Sequence, residues 1–349
     1  MIKDECFSKK WLDSKRNQFP DSDPGIMEKS IYALELVGNL RTAGLDFIFK
    51  GGTSLLLLLE EPKRLSIDVD ILTKETKEKI EKALAEIVKS NRFISWEEDP
   101  RTESSIPKKH YKLFFNSVIN PGSVSYILLD VLFGASPYAA LNSIELNSSI
   151  ITIEEKVTVN VPTLNGLLGD KLTAFASNTT GIPYGVGKEM EINKQLFDIG
   201  IISRNVDNIS EIETAFSNCV DIQAEYRKKD ITKDQVTKDL FELSFLISQI
   251  RLKKSISNEI TEEFESGINK LQNHLLVKPY NLGNAKIYAS RCALIISLFG
   301  KKEKVDEKLK YEPTKITDSV LKEDLTILNR LKPVLPEAFY SWQQVQNLR

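Results

Sequence analysis

Two aspartates, Asp68 and Asp70, stand one residue apart within the run Ile67–Leu72, among Ile67, Val69, Ile71 and Leu72. In a strand, residues i and i+2 face the same side, about 6–7 Å apart. The two carboxylates then project together, while Ile67, Val69 and Ile71 turn into a core. Paired carboxylates repel unless something cationic sits between them. A hard divalent ion meets that need, and Mg²⁺ takes oxygen ligands while keeping several waters. The bland reading puts both acids at a strand end in solvent, since a bare D-x-D is short and common.

Upstream stands Gly51-Gly52-Thr53-Ser54, directly after the apolar run Asp46–Lys50. Glycines after a strand let the backbone turn sharply and approach a ligand. Thr53 or Ser54 can cap a short helix over Leu55–Leu59. The amides of such a turn, with the helix start, form an anion site suited to phosphate. A purely structural turn is the alternative. It is not a P-loop, because no Gly-Lys-Ser/Thr follows at the required spacing. The two features in sequence place phosphate oxygens and a metal at neighbouring strand ends.

A third acid, Asp130, lies within Tyr126–Phe133 between Leu128, Leu129, Val131 and Leu132. An acid among so many apolar residues needs a partner. An adjacent strand brings it to the ion or makes it the base for an incoming hydroxyl. A buried salt bridge explains it equally well.

These residues require strands to hold them. Asp46–Lys50 and Ser66–Leu72 read as strands, Thr76–Ser90 as a helix with Ile80, Ala83, Leu84 and Ile87 inward. Tyr111–Phe115 and Val124–Phe133 read as longer strands. Ile151–Val161 is rich in β-branched residues, which favour a pleated surface. Pro162-Thr163 opens a helix through Leu167, Leu168, Leu172 and Phe175. After the polar stretch Ser177–Lys188, helical spacing dominates to Arg349, as in Asp239–Ile250 and Arg291–Leu298. The expected architecture is an α+β domain over residues 1–188 and a helical domain over 189–349.

A length of 349 residues suffices for two domains, and 41% hydrophobic with 28% charged residues fits a globular chain. A net charge of −2 excludes a generally basic nucleic-acid coat but leaves room for a local basic groove. Met1–Lys10 is charged and precedes no leader-like apolar core. No apolar run approaches the roughly 18 residues of a membrane span. Cys6, Cys219 and Cys292 are too scattered for a disulfide framework or a zinc site. The expectation is a cytoplasmic protein without membrane contact.

Four pieces in order resemble the AbiEii/AbiGii toxin branch of the DNA polymerase β-like nucleotidyltransferase superfamily. They are Lys50-Gly51-Gly52-Thr53-Ser54-Leu55, Arg64-Leu65-Ser66-Ile67-Asp68-Val69-Asp70, Asp170-Lys171-Leu172-Thr173-Ala174 and Lys194-Gln195-Leu196-Phe197-Asp198-Ile199. The resemblance spans Lys50 to Ile199 and implies a mixed nucleotidyltransferase core sheet. It implies that Asp68 and Asp70 hold Mg²⁺ and that Gly52 and Ser54 hold the nucleotide phosphates. It further implies that Lys171 contacts the triphosphate and that Asp198 is another active-site acid. Asp130 joins this set as a metal ligand or catalytic acid, and Gly51 and Thr53 join the nucleotide cradle. The family's Arg-Asp opening of the fourth piece is Lys194-Gln195 here, so any role of its first acid is missing. On its own residues Lys171 reads equally as a surface lysine or a partner of Asp170, and Asp198 as a cap or ion-pair member.

Only two histidines are present, His110 and His274, which excludes a histidine metal cluster. His110 follows Lys108-Lys109 and is expected on a surface strand. Lys108-Lys109, Arg227-Lys228-Lys229 and Lys301-Lys302 read as solvated clusters or as contacts for RNA phosphates. Tyr138 sits in a turn, to pack or to stack on a base. The expected protein is a Mg²⁺-dependent enzyme that transfers NMP from an NTP to a hydroxyl. By resemblance the acceptor is RNA, a tRNA 3′ end, and an antitoxin is encoded alongside. Lys188, Lys194 and Lys108-Lys109 are the expected RNA contacts. Transfer to a protein or small-molecule hydroxyl, or nucleotide binding without turnover, are the alternatives.

Overall fold

The computed structural model describes every residue except 91, 101–105, 253–257, 278–279, 302–307 and 317–318. Lys302 therefore lies outside the described residues. The chain divides into two compact units. The first comprises Met1–Ser136, Ala140–Thr163 and Gln272–Lys278; the second comprises Pro137–Ala139, Leu164–Leu271 and Pro279–Arg349. The sequence reading drew its line after Lys188, whereas the helix Leu164–Phe175 belongs by its contacts to the helical unit.

The first unit is built on a seven-stranded mixed sheet. Its strands are β1 (Ile48–Lys50), β2 (Val69–Thr73), β3 (Ser95–Glu98), β4 (Lys108–Asn116), β5 (Val124–Phe133), β6 (Leu141–Glu145) and β7 (Thr158–Pro162). Their spatial order is β3-β4-β5-β2-β1-β7-β6. β2 pairs antiparallel with β1 and parallel with β5, and β4 and β5 form an antiparallel hairpin. The helices of this unit are α1 (Lys9–Gln18), α2 (Pro24–Thr42), α3 (Gly51–Leu58) and α4 (Lys77–Ile87).

Alternation decides which sheet face is apolar. Val69 and Ile71 of β2, Leu129 and Val131 of β5, and Tyr111, Leu113 and Phe115 of β4 belong to one buried cluster with α2 and α4. Tyr32 of α2 stacks on Phe115 with ring centres 3.7 Å apart. Asp23 caps α2 by accepting from the Ile26 amide at 2.9 Å, and Pro24 opens its first turn. Thr76 caps α4 through the Lys79 amide. With that face sealed, residues of opposite parity, Asp70 and Asp130 among them, stand on the other.

Several boundaries differ from the sequence reading. β2 begins at Val69, so Ser66 to Asp68 lie in an irregular approach. Of Ile151–Val161 only Thr158 onward is a ladder strand; Ile153 instead makes an isolated bridge to Ile2. Thr152 and Ile153 are held by contacts to the amino terminus, at Lys3, Cys6 and Ile2, rather than by a strand ladder. The short helix after the glycines starts at Gly51, not Leu55.

The second unit is helical: α5 (Leu164–Phe175), α6 (Glu189–Ile202), α7 (Ile209–Arg227), α8 (Lys233–Gln249), α9 (Glu259–Leu271), α10 (Leu282–Ser297) and α11 (Pro336–Leu348). α5 packs on α6 and α7, and α10 packs on α6, α8 and α11. The three cysteines are buried. Among the described residues no helix is long and apolar enough to cross a membrane.

Candidate active site

Sheet register assembles the site. Lys50 of β1 is the partner of Asp70 on β2, Asp70 of Asp130 on β5, and Asp130 of His110 on β4. Directly opposed residues share a face. Lys50, Asp70, Asp130 and His110 thus form one polar row across four adjacent strands. Asp130 and His110 are in direct contact, with His110 Nδ1 2.6 Å from Asp130 Oδ1. A carboxylate can only accept, so the bond to ionised Asp130 places the imidazole proton on Nδ1. The two side chains are 23% and 17% exposed, open enough for a ligand to reach them.

Gly51 closes the row. Its φ is +78°, a conformation that favours glycine. A Cβ there would stand 2.2 Å from Asp70 Oδ2. The chain must therefore turn from β1 into α3 without a side chain, and the turn lies against the Asp70 carboxylate. A Cβ on Gly52 would meet Arg64 Nη2 at 2.4 Å, so the buried Arg64 guanidinium lies over the first turn of α3. The Thr53 hydroxyl donates to the Asp68 carbonyl oxygen, and Ser54 Oγ donates to the Gly51 carbonyl at 2.8 Å. Both side chains are buried. Their hydroxyls hold the loop, and the first amides of α3 are the groups without intrahelical partners. Neither Thr53 nor Ser54 is the N-cap; that position is Lys50, with no side-chain cap bond.

Asp68 is exposed and Asp70 partly buried. Burial first, and then the Asp130 and Asp68 carboxylates, push the Asp70 carboxyl up to about 6 against the pull of Lys50 and Lys108. A site that raises an acid by crowding it with other acids favours a cation. The donor set is all oxygen, which suits Mg²⁺. Among the described residues no three His, Cys, Asp or Glu side chains converge as a ready-made metal cluster. Mg²⁺ needs none, since it is commonly held by one or two carboxylates plus substrate phosphates. Asp68 and Asp70 fit that pattern, while Asp130 is turned to His110. One residue pair along the same face, a cavity of about 470 Å³ is lined by Ile48, Leu72, Asn160, Ser136 and their neighbours.

Lys171 and Asp198 both lie in the helical unit. Lys171 on α5 is buried and its Nζ is 2.8 Å from Asp198 Oδ2 on α6, with Gln195 Oε1 at 3.1 Å. It is neither a surface lysine nor the partner of Asp170, whose carboxylate accepts from the Tyr138 hydroxyl at 2.7 Å. Tyr138 is itself buried, so packing and that bond account for it. His110 does lie on a strand with one open face, as expected, but sequence reasoning missed its place in the acid row beside Asp130.

Residues 36–277 match the profile of a family described as nucleotidyl transferase AbiEii toxin, type IV TA system. Among solved structures the chain is similar to MenT4, a nucleotidyltransferase toxin from Mycobacterium tuberculosis. That likeness has a TM-score of 0.50 at 12% identity, covering 78% of this chain and 84% of that one. An antigenic nucleotidyltransferase-like protein from Paracoccidioides brasiliensis also matches, with TM-score 0.36 and 17% identity over 60% of this chain and 96% of that one. No curated protein matches.

Proposed function

The chain belongs to the AbiEii nucleotidyltransferase toxin family of type IV toxin–antitoxin systems, and from that membership we propose that it transfers NMP from an NTP to a hydroxyl of RNA. A tRNA 3′ end is the acceptor the sequence resemblance implies, and pyrophosphate is the leaving product. The observation that carries this reading is the row Lys50, Asp70, Asp130 and His110, with the Gly51 turn set against Asp70.

Each residue has work in such a reaction. The first amides of α3, over Gly51 to Ser54, and the Arg64 guanidinium put positive charge at one spot. A cation beside a helix N-terminus is unfavourable by itself, and an anion between them relieves both. A triphosphate is that anion. Asp68 and Asp70 would hold Mg²⁺, which when bound would supply charge neutralisation for the triphosphate. Asp130 accepts the proton of the acceptor hydroxyl as its oxygen forms the new bond to the α-phosphorus. The bond from that phosphorus to the α,β-bridging oxygen breaks, and that oxygen leaves with pyrophosphate. His110 keeps the Asp130 carboxylate oriented. Lys171 and Asp198 keep the roles implied by the family, in triphosphate contact and as a further acid.

Purified protein incubated with α-labelled NTPs, Mg²⁺ and total cell extract tests the acceptor. Label is expected in RNA and should be released by ribonuclease. Label found only in protein would replace RNA with a protein hydroxyl.

A further inference from the structure

The face that carries the acid row continues along the β4–β5 hairpin. From His110 and Asp130 the paired residues of the same parity are Lys112 with Leu128, Phe114 with Tyr126, and Asn116 with Val124. A sheet face that served only to cover a core would bury these rings. Tyr126 is instead 42% exposed and Val124 56% exposed. Phe114 and Tyr126 stand with ring centres 5.9 Å apart and planes inclined at 59°. Two ammonium groups lie over Tyr126: Lys29 Nζ at 5.3 Å and Lys112 Nζ at 5.5 Å from the ring centre.

We propose that the Phe114–Tyr126 ring pair, with Lys29 beside it, is a stacking platform for single-stranded RNA that leads its 3′-hydroxyl to Asp130 along β5. The inference rests on the RNA acceptor reading above and adds the surface that receives it. Three features point to nucleic acid. Open aromatic rings stack on bases of any sequence, and nearby cations meet the backbone phosphates. The platform lies on the strand and face of Asp130, four residues away, about 13 Å at strand rise. That is a span of a few nucleotides, with the half-buried Leu128 and Lys112 between. Lys112 is also held by Asp99 at 2.8 Å and Glu97 at 3.7 Å, so its charge is partly met within the protein. The phosphate contact therefore falls mainly to Lys29, and the stacking supplies most of the affinity.

The test is equilibrium binding of a short single-stranded RNA with a free 3′-hydroxyl and a 5′ fluorophore to the full chain. Tyr126→Ala should weaken binding by about 5- to 160-fold, the range that loss of one base–aromatic stack gives. Tyr126→Phe should stay close to wild type, because the ring is kept. Lys29→Ala should reduce the slope of log affinity against log salt by about 0.7. The same variants should leave NTP affinity unchanged. Wild-type protein that binds no oligonucleotide overturns the proposal, as does Tyr126→Ala binding as tightly as wild type. Unchanged RNA binding with loss of self-association in Tyr126→Ala would mark the patch as a contact between copies, and also overturns it. Tyr126-dependent binding without label transfer would keep this surface and remove RNA as acceptor.

Discussion

At the scale of single residues, Asp70 carries the conflict on which the site depends. Its folded-state value of about 6 lies above the ordinary 3.8. The folded protein thus keeps this proton to higher pH than the unfolded chain does. The stability this group contributes is present at low pH and is lost as pH rises from about 4 through 6. Asp70→Asn removes that dependence, so in chelator the variant should melt above wild type near pH 8 by more than it does near pH 5. Scanning calorimetry at both values checks the sign; equal gaps would show that the fold does not raise the Asp70 carboxyl. His110 offers a second residue-scale expectation. Removing a group that only orients a catalytic acid costs roughly 10–100-fold. His110→Ala should lose that much in turnover with little change in the KM for NTP. His110→Asn, whose amide can donate to Asp130, should recover part of it. The shared face of Asp70 and Asp130 was legible in the sequence because alternation sets them against Val69, Ile71, Leu129 and Val131, whereas Asp68 precedes β2 and escapes that alternation. His110 was not, because its partner depends on hairpin register. The Pro121-Gly122 turn between β4 and β5 held that register, but only a committed pairing would have set His110 opposite Asp130.

At the scale of elements, the β1–α3 turn is where backbone and chemistry meet. Gly51 and Gly122 both hold positive φ, at +78° and +86°. A Cβ at Gly122 meets nothing within 4 Å, whereas one at Gly51 meets Asp70. Gly122→Ala should therefore cost only backbone strain, on the order of 1 kcal/mol, with transfer intact. Gly51→Ala should cost more and should abolish transfer, because Asp70 must move. Urea unfolding and label transfer on the two variants separate these cases. The elements were read unevenly from sequence. β5 was found residue for residue because it alternates over ten positions. β3 and β6 were missed: both are short and mostly exposed, so neither carries the apolar repeat that marks a strand. Ile151 to Val157 was overread, because β-branched residues also suit an irregular segment pinned by an isolated bridge.

At the scale of the whole molecule, the chain forms two compact units, and each carries some of the residues proposed for the reaction. In the helical unit the Lys171–Asp198 pair joins α5 to α6 with side chains only 8% and 1% exposed. Withdrawing one partner of a buried pair costs about 3–5 kcal/mol. Lys171→Ala is thus expected to lower stability by that order as well as NTP affinity. Denaturant unfolding, run beside calorimetric NTP titration, distinguishes lost phosphate contact from lost structure. A stability near wild type would show that the pair is not structural. The sequence carried the two-part organisation, because strand-like and helix-like patterning separate along the chain. It did not carry the crossing of residues 272–278 back into the first unit, where Leu275 bridges Arg64 and Leu276 joins the sheet core. A segment of seven residues has no periodicity to announce such a return.

If transfer occurs at the acid row across β1, β2, β5 and β4, it depends on the Asp70 carboxylate. The most direct measurement is the rate of NMP incorporation into RNA by wild type and Asp70→Asn under saturating NTP and Mg²⁺, with circular dichroism on both. Incorporation by wild type is expected, with a loss of at least about 10²-fold in the variant, at unchanged secondary structure. Incorporation by a folded Asp70→Asn variant at the wild-type rate would contradict that dependence.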